Sequence, residues 1–292
     1  MPEDKVIPQD KNVTGKKRRN NRSIFDVRLT IQIIFFLVIA AIAVNHSLEA
    51  AGTAFPILST ASTHAICPFG GVVSVYNYAT TGMLVKKIHG SALVLMYIGF
   101  TLALLAGPAF CGWACPFGSF QEWLGKLGKK LFRKRFNQLI PSRVDGWLRY
   151  LRYVVLIWVV WVTAVSARLI FADYDPYFAL FNFWGGEIAI SALVILCMVI
   201  FLSLFVERPF CKYACPYGAL LGIFNLFRIF KVKRNADSFI YCKLCDRACP
   251  MNIKVSAGAS VRNHQCISCL KCTSEQQCPV SATVSMTTGK VT

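Results

Sequence analysis

Four long runs of apolar residues constrain the fold of this chain more than any other feature. They are Leu29 to Val44, Gly90 to Phe110, Trp147 to Phe171 and Ile188 to Val206. A transmembrane helix needs about 20 mostly apolar residues, and the 55% hydrophobic fraction is high for a soluble domain. The first run is slightly short, so a cleaved signal peptide is its alternative. We expect an all-α membrane bundle of four transmembrane helices.

Basic residues cluster on one side of these runs. The clusters are residues 1–28, 126–135 and 228–234, whereas the loops 53–81 and 173–186 nearly lack Lys and Arg. The positive-inside rule then places both termini in the cytoplasm, for a multi-pass protein of the cell (inner or cytoplasmic) membrane. The net charge of +18 reflects this topology, because no base-reading module indicates nucleic acid.

Composition divides the chain into three parts. Residues 1–28 are expected to be a disordered basic tail, residues 29–234 the four-helix transmembrane domain, and residues 235–292 a small ferredoxin-like α+β domain. Three arginines lie near the ends of the third run, where we expect their long side chains to snorkel to the membrane surface. They are Arg149, Arg152 and Arg168.

An internal duplication links the two halves of the membrane domain. Phe110-Cys-Gly-Trp-Ala-Cys-Pro-Phe-Gly follows the second run, and Phe210-Cys-Lys-Tyr-Ala-Cys-Pro-Tyr-Gly follows the fourth. The halves run in the same direction, which is a parallel two-helix repeat about an axis along the membrane normal. We expect the motif cysteines to approach one another near this axis, where they donate cluster ligands, bind a further metal centre, or are redox-silent thiols. These motif cysteines are Cys111, Cys115, Cys211 and Cys215.

The C-terminal cysteines follow the spacing of a two-cluster ferredoxin, in which a distant Cys-Pro thiolate completes the partner cage. Zinc sites normally use two close pairs instead of a triple followed by Cys-Pro. We predict two [4Fe–4S] clusters. The first set of ligands is Cys249, Cys266, Cys269 and Cys272. The second set is Cys242, Cys245 and Cys278.

The second set is one ligand short. The missing cysteine is expected three residues before Cys242, where the chain has Phe239. Either a motif cysteine completes this cage or one iron is labile.

Further polar residues fall near the predicted outer face. His64, Cys67 and His89 are candidates for contact with a quinone, and His46, His64, His89 and Glu49 are candidates for taking the two protons released from a quinol. The alternatives are polar loop residues and a structural cysteine. Histidines confined to loops do not suit haem b, which needs axial ligands from facing helices.

The paired Cys-x-x-x-Cys-Pro motifs and the C-terminal cysteines resemble the NapH/MauN family of membrane ferredoxins and the C-terminal half of NosR, over about residues 29–285. The resemblance implies a quinol dehydrogenase or electron relay with two [4Fe–4S] clusters that serves a respiratory or periplasmic reductase. Two features depart from it. No flavin-bearing domain like that of NosR precedes the first run, and the five-residue gap before Cys278 exceeds the usual three.

We therefore expect a membrane-bound electron-transfer subunit that works between the quinone pool and a redox partner of the ferredoxin, flavoprotein or cytochrome type. No catalytic residue is predicted, because the chain has no Gly-x-Gly-x-x-Gly fingerprint and no nucleophile–base pair. Two other functions stay open. One is a maturation or metal-reducing factor for a separate metalloenzyme, and the other is a membrane redox sensor that uses the labile second set.

Overall fold

The structure of the chain is a computed structural model. It describes residues 23–50, 90–133, 136–137, 139–166, 174–183, 189–236, 238–274, 277–278, 280 and 283–288. The α-helices are α1 (Ser23–Ala50), α2 (Gly90–Ala106), α3 (Ala109–Trp113), α4 (Pro116–Phe132), α5 (Ser142–Leu148), α6 (Leu151–Ser166), α7 (Pro176–Phe181), α8 (Ile190–Ser203), α9 (Pro209–Tyr213), α10 (Pro216–Asn225) and α11 (Leu244–Arg247). The strands are β1 (Lys231–Arg234) and β2 (Val284–Thr287).

Helices α1, α2, α6 and α8 form from the four apolar runs. Among the described residues, the segment Asp26–Asn45 of α1 is the one helix long and apolar enough to cross a membrane. The segments Val94–Ala106 and Ile190–Ser203 are shorter apolar helices. The four-span bundle and its orientation stay predictions.

The predicted boundary of the N-terminal tail, at residue 28, lies too late in the sequence. Helix α1 begins at Ser23, and Arg28 is only 3% exposed. Its guanidinium donates to the Gly112 carbonyl oxygen at 3.0 Å and pairs with Glu122 at 2.6 Å. These buried partners hold the first turns of α1 in place; residues 1–22 lie outside the described part of the chain.

The two repeats exchange their packing partners. Helix α4, which follows the first motif, packs against α8 of the second repeat and against α1. Helix α10, which follows the second motif, packs against α2 of the first repeat and against α6. A Cβ atom at Gly128 would overlap the carbonyl oxygen of Leu204, so α4 and α8 approach at a distance that only glycine permits. The exchange brings the two motifs together between the repeats.

The C-terminal domain begins earlier than the boundary predicted at residue 235. Strand β1 starts at Lys231 and pairs antiparallel with β2, with Val232 opposite Met286. The Val261 amide donates to the carbonyl oxygen of Val232, which adds a third extended segment beside β1. Ile229 and Phe230 donate their amides to carbonyls at the end of α2. The domain is therefore joined to the apolar helices by a short, hydrogen-bonded connection.

Candidate iron–sulfur sites

The first set of C-terminal cysteines surrounds one cavity. The cavity is lined by all four of its cysteines, Cys249, Cys266, Cys269 and Cys272, and by apolar residues of the domain core. Burial and, next in size, the neighbouring Cys269 raise the pKa of Cys249 to about 12. The structure therefore brings together the four ligands that the sequence predicts for the first cluster.

Left-handed backbone turns aim these cysteines at the cavity. Ser268, between Cys266 and Cys269, has a φ of 48°, and Leu270, between Cys269 and Cys272, has a φ of 55°. Such a conformation costs a non-glycine residue about 1–2 kcal/mol. The surrounding structure holds these turns, as is common at functional sites.

Hydrogen-bond donors also point at the cysteine sulfurs. The amides of Met251 and Ile253 approach Cys249, and the Arg228 guanidinium lies 3.4 Å from the Cys266 sulfur. A cluster held by four thiolates is anionic, and hydrogen bonds to its sulfurs are among the features that tune it. The residues present in the first set therefore fit a [4Fe–4S] cluster.

The second set also comes together, with three thiols. Cys242, Cys278 and Asp246 are electrostatic neighbours of Cys245, and burial raises the pKa of Cys245 to about 11. Phe239, at the position of the missing ligand, packs against the domain core below the Arg234 guanidinium.

The motif cysteines converge between the repeats. Cys111 interacts electrostatically with Cys115 and Cys211, and Cys215 interacts with all three others. Their thiols are deeply buried, and burial is the largest cause that raises the pKa of Cys211 to about 12. Within the described part of the chain, no three His, Cys, Asp or Glu side chains form a site for a single metal ion.

A buried ionic network joins the motifs to the C-terminal domain. Glu122 is 1% exposed and pairs with Arg28, Arg208 and, at 3.1 Å, Lys271. Burial alone would raise the pKa of Glu122, but the cations Arg208, Lys271 and Arg28 hold it below its usual range. Lys271, within the first set's last Cys-x-x-Cys turn, also pairs with Glu207 at 2.6 Å. The carboxylate of Glu122 therefore connects α1, the start of the second motif and the first set.

The prediction that Arg149 and Arg152 snorkel to the membrane surface is wrong. Arg149 donates to the carbonyl oxygens of Met251 and Asn252, and Arg152 donates to the carbonyl oxygen of His264 at 2.9 Å. Arg152 is only 2% exposed. Both arginines reach the docked C-terminal domain instead of water, because that domain covers the start of α6. Arg168 lies outside the described residues.

Comparison with known proteins identifies the repeats. A family model described as "4Fe-4S binding domain" matches residues 88–135 and residues 188–235. The two matches have the same length and each contains one Cys-x-x-x-Cys-Pro motif. The duplication predicted from the sequence is confirmed.

Relatives extend over most of the chain. The putative electron transport protein YccM of Escherichia coli (strain K12) is 31% identical over 230 residues, 76% of this chain and 63% of YccM. The uncharacterized protein MJ0750 of Methanocaldococcus jannaschii is 35% identical over 213 residues, 73% of this chain and 84% of that protein. The ferredoxin-type protein NapH of Escherichia coli (strain K12) is 25% identical over 178 residues, 58% of this chain and 59% of NapH. This chain belongs to the NapH/NosR-type ferredoxin family.

Membership of the NapH/NosR-type family confirms the resemblance seen in the motifs. Together with the matched 4Fe–4S domain, it supports an iron–sulfur electron-transport protein. The chain spans slightly less than two thirds of YccM. No solved structure matches the chain.

Some predicted residues of this NapH/NosR-type chain lie outside the described part. They are His64, Cys67 and His89, together with the side chains of His46 and Glu49. The structure instead shows a carboxyl group that sequence reasoning missed. Asp175 caps α7 by accepting from the Tyr177 amide at 3.0 Å, and burial raises its pKa to about 7. It is an electrostatic neighbour of Cys115. The signal in the sequence is an Asp directly before a Pro, which is typical of a helix start.

Proposed function

We propose that this chain is a membrane-bound electron-transfer subunit that passes electrons between the quinone pool and a redox partner through two [4Fe–4S] clusters. One observation carries the proposal. The first set forms a ready cavity for a cluster, and the domain that contains it is docked directly on both motifs at the ends of apolar helices. Trp113 in the first motif donates to the Ser268 carbonyl oxygen at 3.0 Å, and Gln265 donates to the Lys212 carbonyl oxygen in the second.

An apolar cavity between α6 and α8 supports a quinone as the membrane substrate. Its lining includes Trp158 of α6, Met198 of α8 and Tyr174. It reaches Phe210 and Tyr213 of the second motif, which flank Cys211 in the chain. Ligand sites are mostly apolar with a few polar groups, and an isoprenoid quinone has this chemistry. We assign this cavity to the quinone, while His64, Cys67 and His89 stay candidates for a contact on the outer face.

The proposed reaction balances two electrons and two protons. A quinol that becomes a quinone releases both, and a bound [4Fe–4S] cluster accepts or gives one electron at a time. The two electrons therefore leave in single steps toward the partner. Asp175, an electrostatic neighbour of Cys115, is assigned to take the first proton, because a carboxyl group with a pKa near 7 changes charge at working pH, and the second proton passes to water at the membrane surface. The reverse direction of electron flow uses the same groups.

The membrane arrangement is part of the proposal. Helices α1, α2, α6 and α8 span the membrane, both termini lie in the cytoplasm, and the C-terminal domain rests on the cytoplasmic surface. The apolar side chains that these helices leave exposed support this placement; examples are Leu37, Ile157, Trp161 and Phe201. In lipid such exposure has no cost, whereas a soluble protein rarely shows apolar patches this large.

The test is anaerobic reduction of the purified full-length protein in lipid nanodiscs by a quinol. Electron paramagnetic resonance (EPR) should show reduced [4Fe–4S] signals within the mixing time. Met198→Trp, which fills the proposed quinone cavity, should raise the quinol concentration needed for half-maximal rate, and Met198→Leu should not. Clusters that no quinol reduces and that, once chemically reduced, pass no electrons to a quinone would exclude the quinone pool. A deletion strain in which the partner enzyme lacks its cofactor would instead favour the maturation factor.

A further inference from the structure

The two motifs each supply two cysteines, which is too few for a cluster, yet the structure pools them. We propose that Cys111, Cys115, Cys211 and Cys215 together hold a third [4Fe–4S] cluster between the two repeats. This site lies between the apolar helices and the first set. It extends the electron path proposed above, but it stands whether or not a quinone is the donor.

The arrangement of the four thiols supports a shared site. Every pair among them interacts electrostatically, and one cysteine of each motif, Cys115 and Cys215, occupies the N-cap of the following helix. A cubane takes one thiolate for each of its four irons. Two from each repeat satisfy that number with the pseudo-twofold symmetry of the fold.

The surroundings of the four thiols favour an anion. The N-termini of α4 and α10 end at this site, and the Cys215 sulfur accepts from the Gly218 amide at 3.3 Å. Amides at a helix start, together with the helix dipole, stabilise negative charge. The guanidinium of Arg208 is fully buried, donates to the Cys111 carbonyl oxygen and lies close enough to act on Cys211.

Arg152 provides a second, independent indication. It is 2% exposed and forms no ion pair with any residue that the structure describes, and its Nε atom has no hydrogen-bond partner. It acts electrostatically on Cys111. Leaving a buried charge unpaired costs several kcal/mol. An anionic cluster on the motif cysteines would supply the missing negative charge.

The two repeats differ in the partner of their buried arginine. Arg28 of the first repeat has a carboxylate partner, whereas Arg152 of the second repeat has none among the described residues. Arg28 of α1 pairs with Glu122, whereas the residue that corresponds to Glu122 in the second repeat is Gly222. A Cβ atom at Gly222 would lie 2.6 Å from the Arg152 Nη2 atom, so glycine leaves the room that this guanidinium occupies. The second repeat therefore places a positive charge beside the cysteines without neutralising it.

The site also has a direct connection to the first set. Gly112 stands beside Cys111 in the first motif, and a Cβ atom there would lie 2.5 Å from the Ile267 carbonyl oxygen and 3.4 Å from the Cys269 amide nitrogen. Cys111 packs against the same core as Cys249, Cys266 and Cys269. The two sites are therefore separated by a single layer of packed residues, which gives the electrons a short route.

The test is the iron and acid-labile sulfide content of the full-length protein after anaerobic reconstitution with excess iron and sulfide. The proposal predicts about twelve irons per chain, four for each of three cubanes. Cys115→Ser and Cys215→Ser should each lose about four irons and keep the EPR signals of the C-terminal domain. Cys197→Ser is the matched control, because this cysteine lies exposed on α8, and it should keep the full content.

Two results would overturn the proposal. One is a reconstituted wild-type protein with about eight irons whose EPR signals are all those of the C-terminal domain, a measurement that does not depend on the folding of any variant. The other is an unchanged iron content in the folded Cys115→Ser and Cys215→Ser variants. Absence of electron transfer between the protein and a quinol or quinone in either direction would contradict the proposed function and leave the iron count standing, so the two failures are distinguishable.

Discussion

Replacing Glu122 by Gln tests whether the buried ionic network holds the C-terminal domain on the membrane part. The Oε2 atom of Glu122 accepts from Arg28 at 2.6 Å and from the Arg208 Nε atom at 3.1 Å, and Oε1 faces Lys271 at 3.1 Å. An amide keeps the shape but removes the charge. The buried Arg28 and Arg208 and the partly buried Lys271 would then lose their shared carboxylate, and in the described part of the chain only Lys271 would keep an ion pair, with Glu207.

The expected loss of stability is large. Removing one partner of a buried ion pair costs about 3–5 kcal/mol, and Gln keeps one acceptor oxygen, so we expect the lower end, about 3 kcal/mol. Glu207→Gln is the matched control. Glu207 is 17% exposed and has one cationic partner, and such a pair contributes about 1 kcal/mol or less.

The assay is thermal unfolding of the cluster-loaded protein in detergent, followed by loss of the iron–sulfur absorbance. At about 2–4 °C for each kcal/mol, Glu122→Gln should lower the midpoint by roughly 6–12 °C and Glu207→Gln by at most about 4 °C. Equal midpoints for the two variants would refute the view that Glu122 is the centre of the network. A variant that loses the first cluster at room temperature would show that the network also positions the ligands.

Three further changes test separate parts of the structure. Asp175→Asn should remove the rise of the quinol oxidation rate with pH. Burial raises the pKa of this carboxyl group to about 7, and the group accepts a proton only when it is ionised, above that pH. A pH–rate profile unchanged from wild type would contradict the role of Asp175. Gly112→Ala should weaken docking of the C-terminal domain, measured as faster proteolysis of that domain, whereas Gly146→Ala, with open space at its Cβ position, should leave proteolysis unchanged. Cys249→Ser should abolish the [4Fe–4S] EPR signal of the first set and keep the other cluster signals, and retention of every signal would remove Cys249 from the first set.

The sequence predicted the cysteine groups well because their spacing encodes the site locally. Only two residues separate Cys266 from Cys269 and Cys269 from Cys272, so tight turns between them suffice to aim all three at one cavity. Cys249 joins them across the domain core, and the pattern of two-cluster ferredoxins predicts that exchange. The convergence of the motif cysteines was expected from the repeat in the sequence, and in the structure each motif is followed by a helix that packs against a helix of the other repeat.

The sequence could not predict the partners of the buried charges. Arg28 and Glu122 are distant in the chain, and a charged residue in a basic or amphipathic segment is predicted to lie on the surface. Because Arg149 and Arg152 lie near the end of an apolar run, their side chains are likewise predicted to snorkel to the membrane surface. What decides their position is the docked domain, whose carbonyl groups meet them at Met251 and His264. Such long-range polar contacts leave no periodic signal in the sequence.

The divergence of the two repeats follows from the different neighbours that they meet. Helix α4 lies between α1 and α8, and there the carboxylate of Glu122 balances the arginines of two other elements. Helix α10 lies between α2 and α6 and also faces the C-terminal domain, so its Asn225 donates to the carbonyl oxygens of Asn263 and Cys266. A carboxylate at position 222 would need the space that the Arg152 guanidinium occupies, since a Cβ atom there would already lie 2.6 Å from the Arg152 Nη2 atom. The glycine of the second repeat therefore admits a guanidinium where the acid of the first repeat pairs with one.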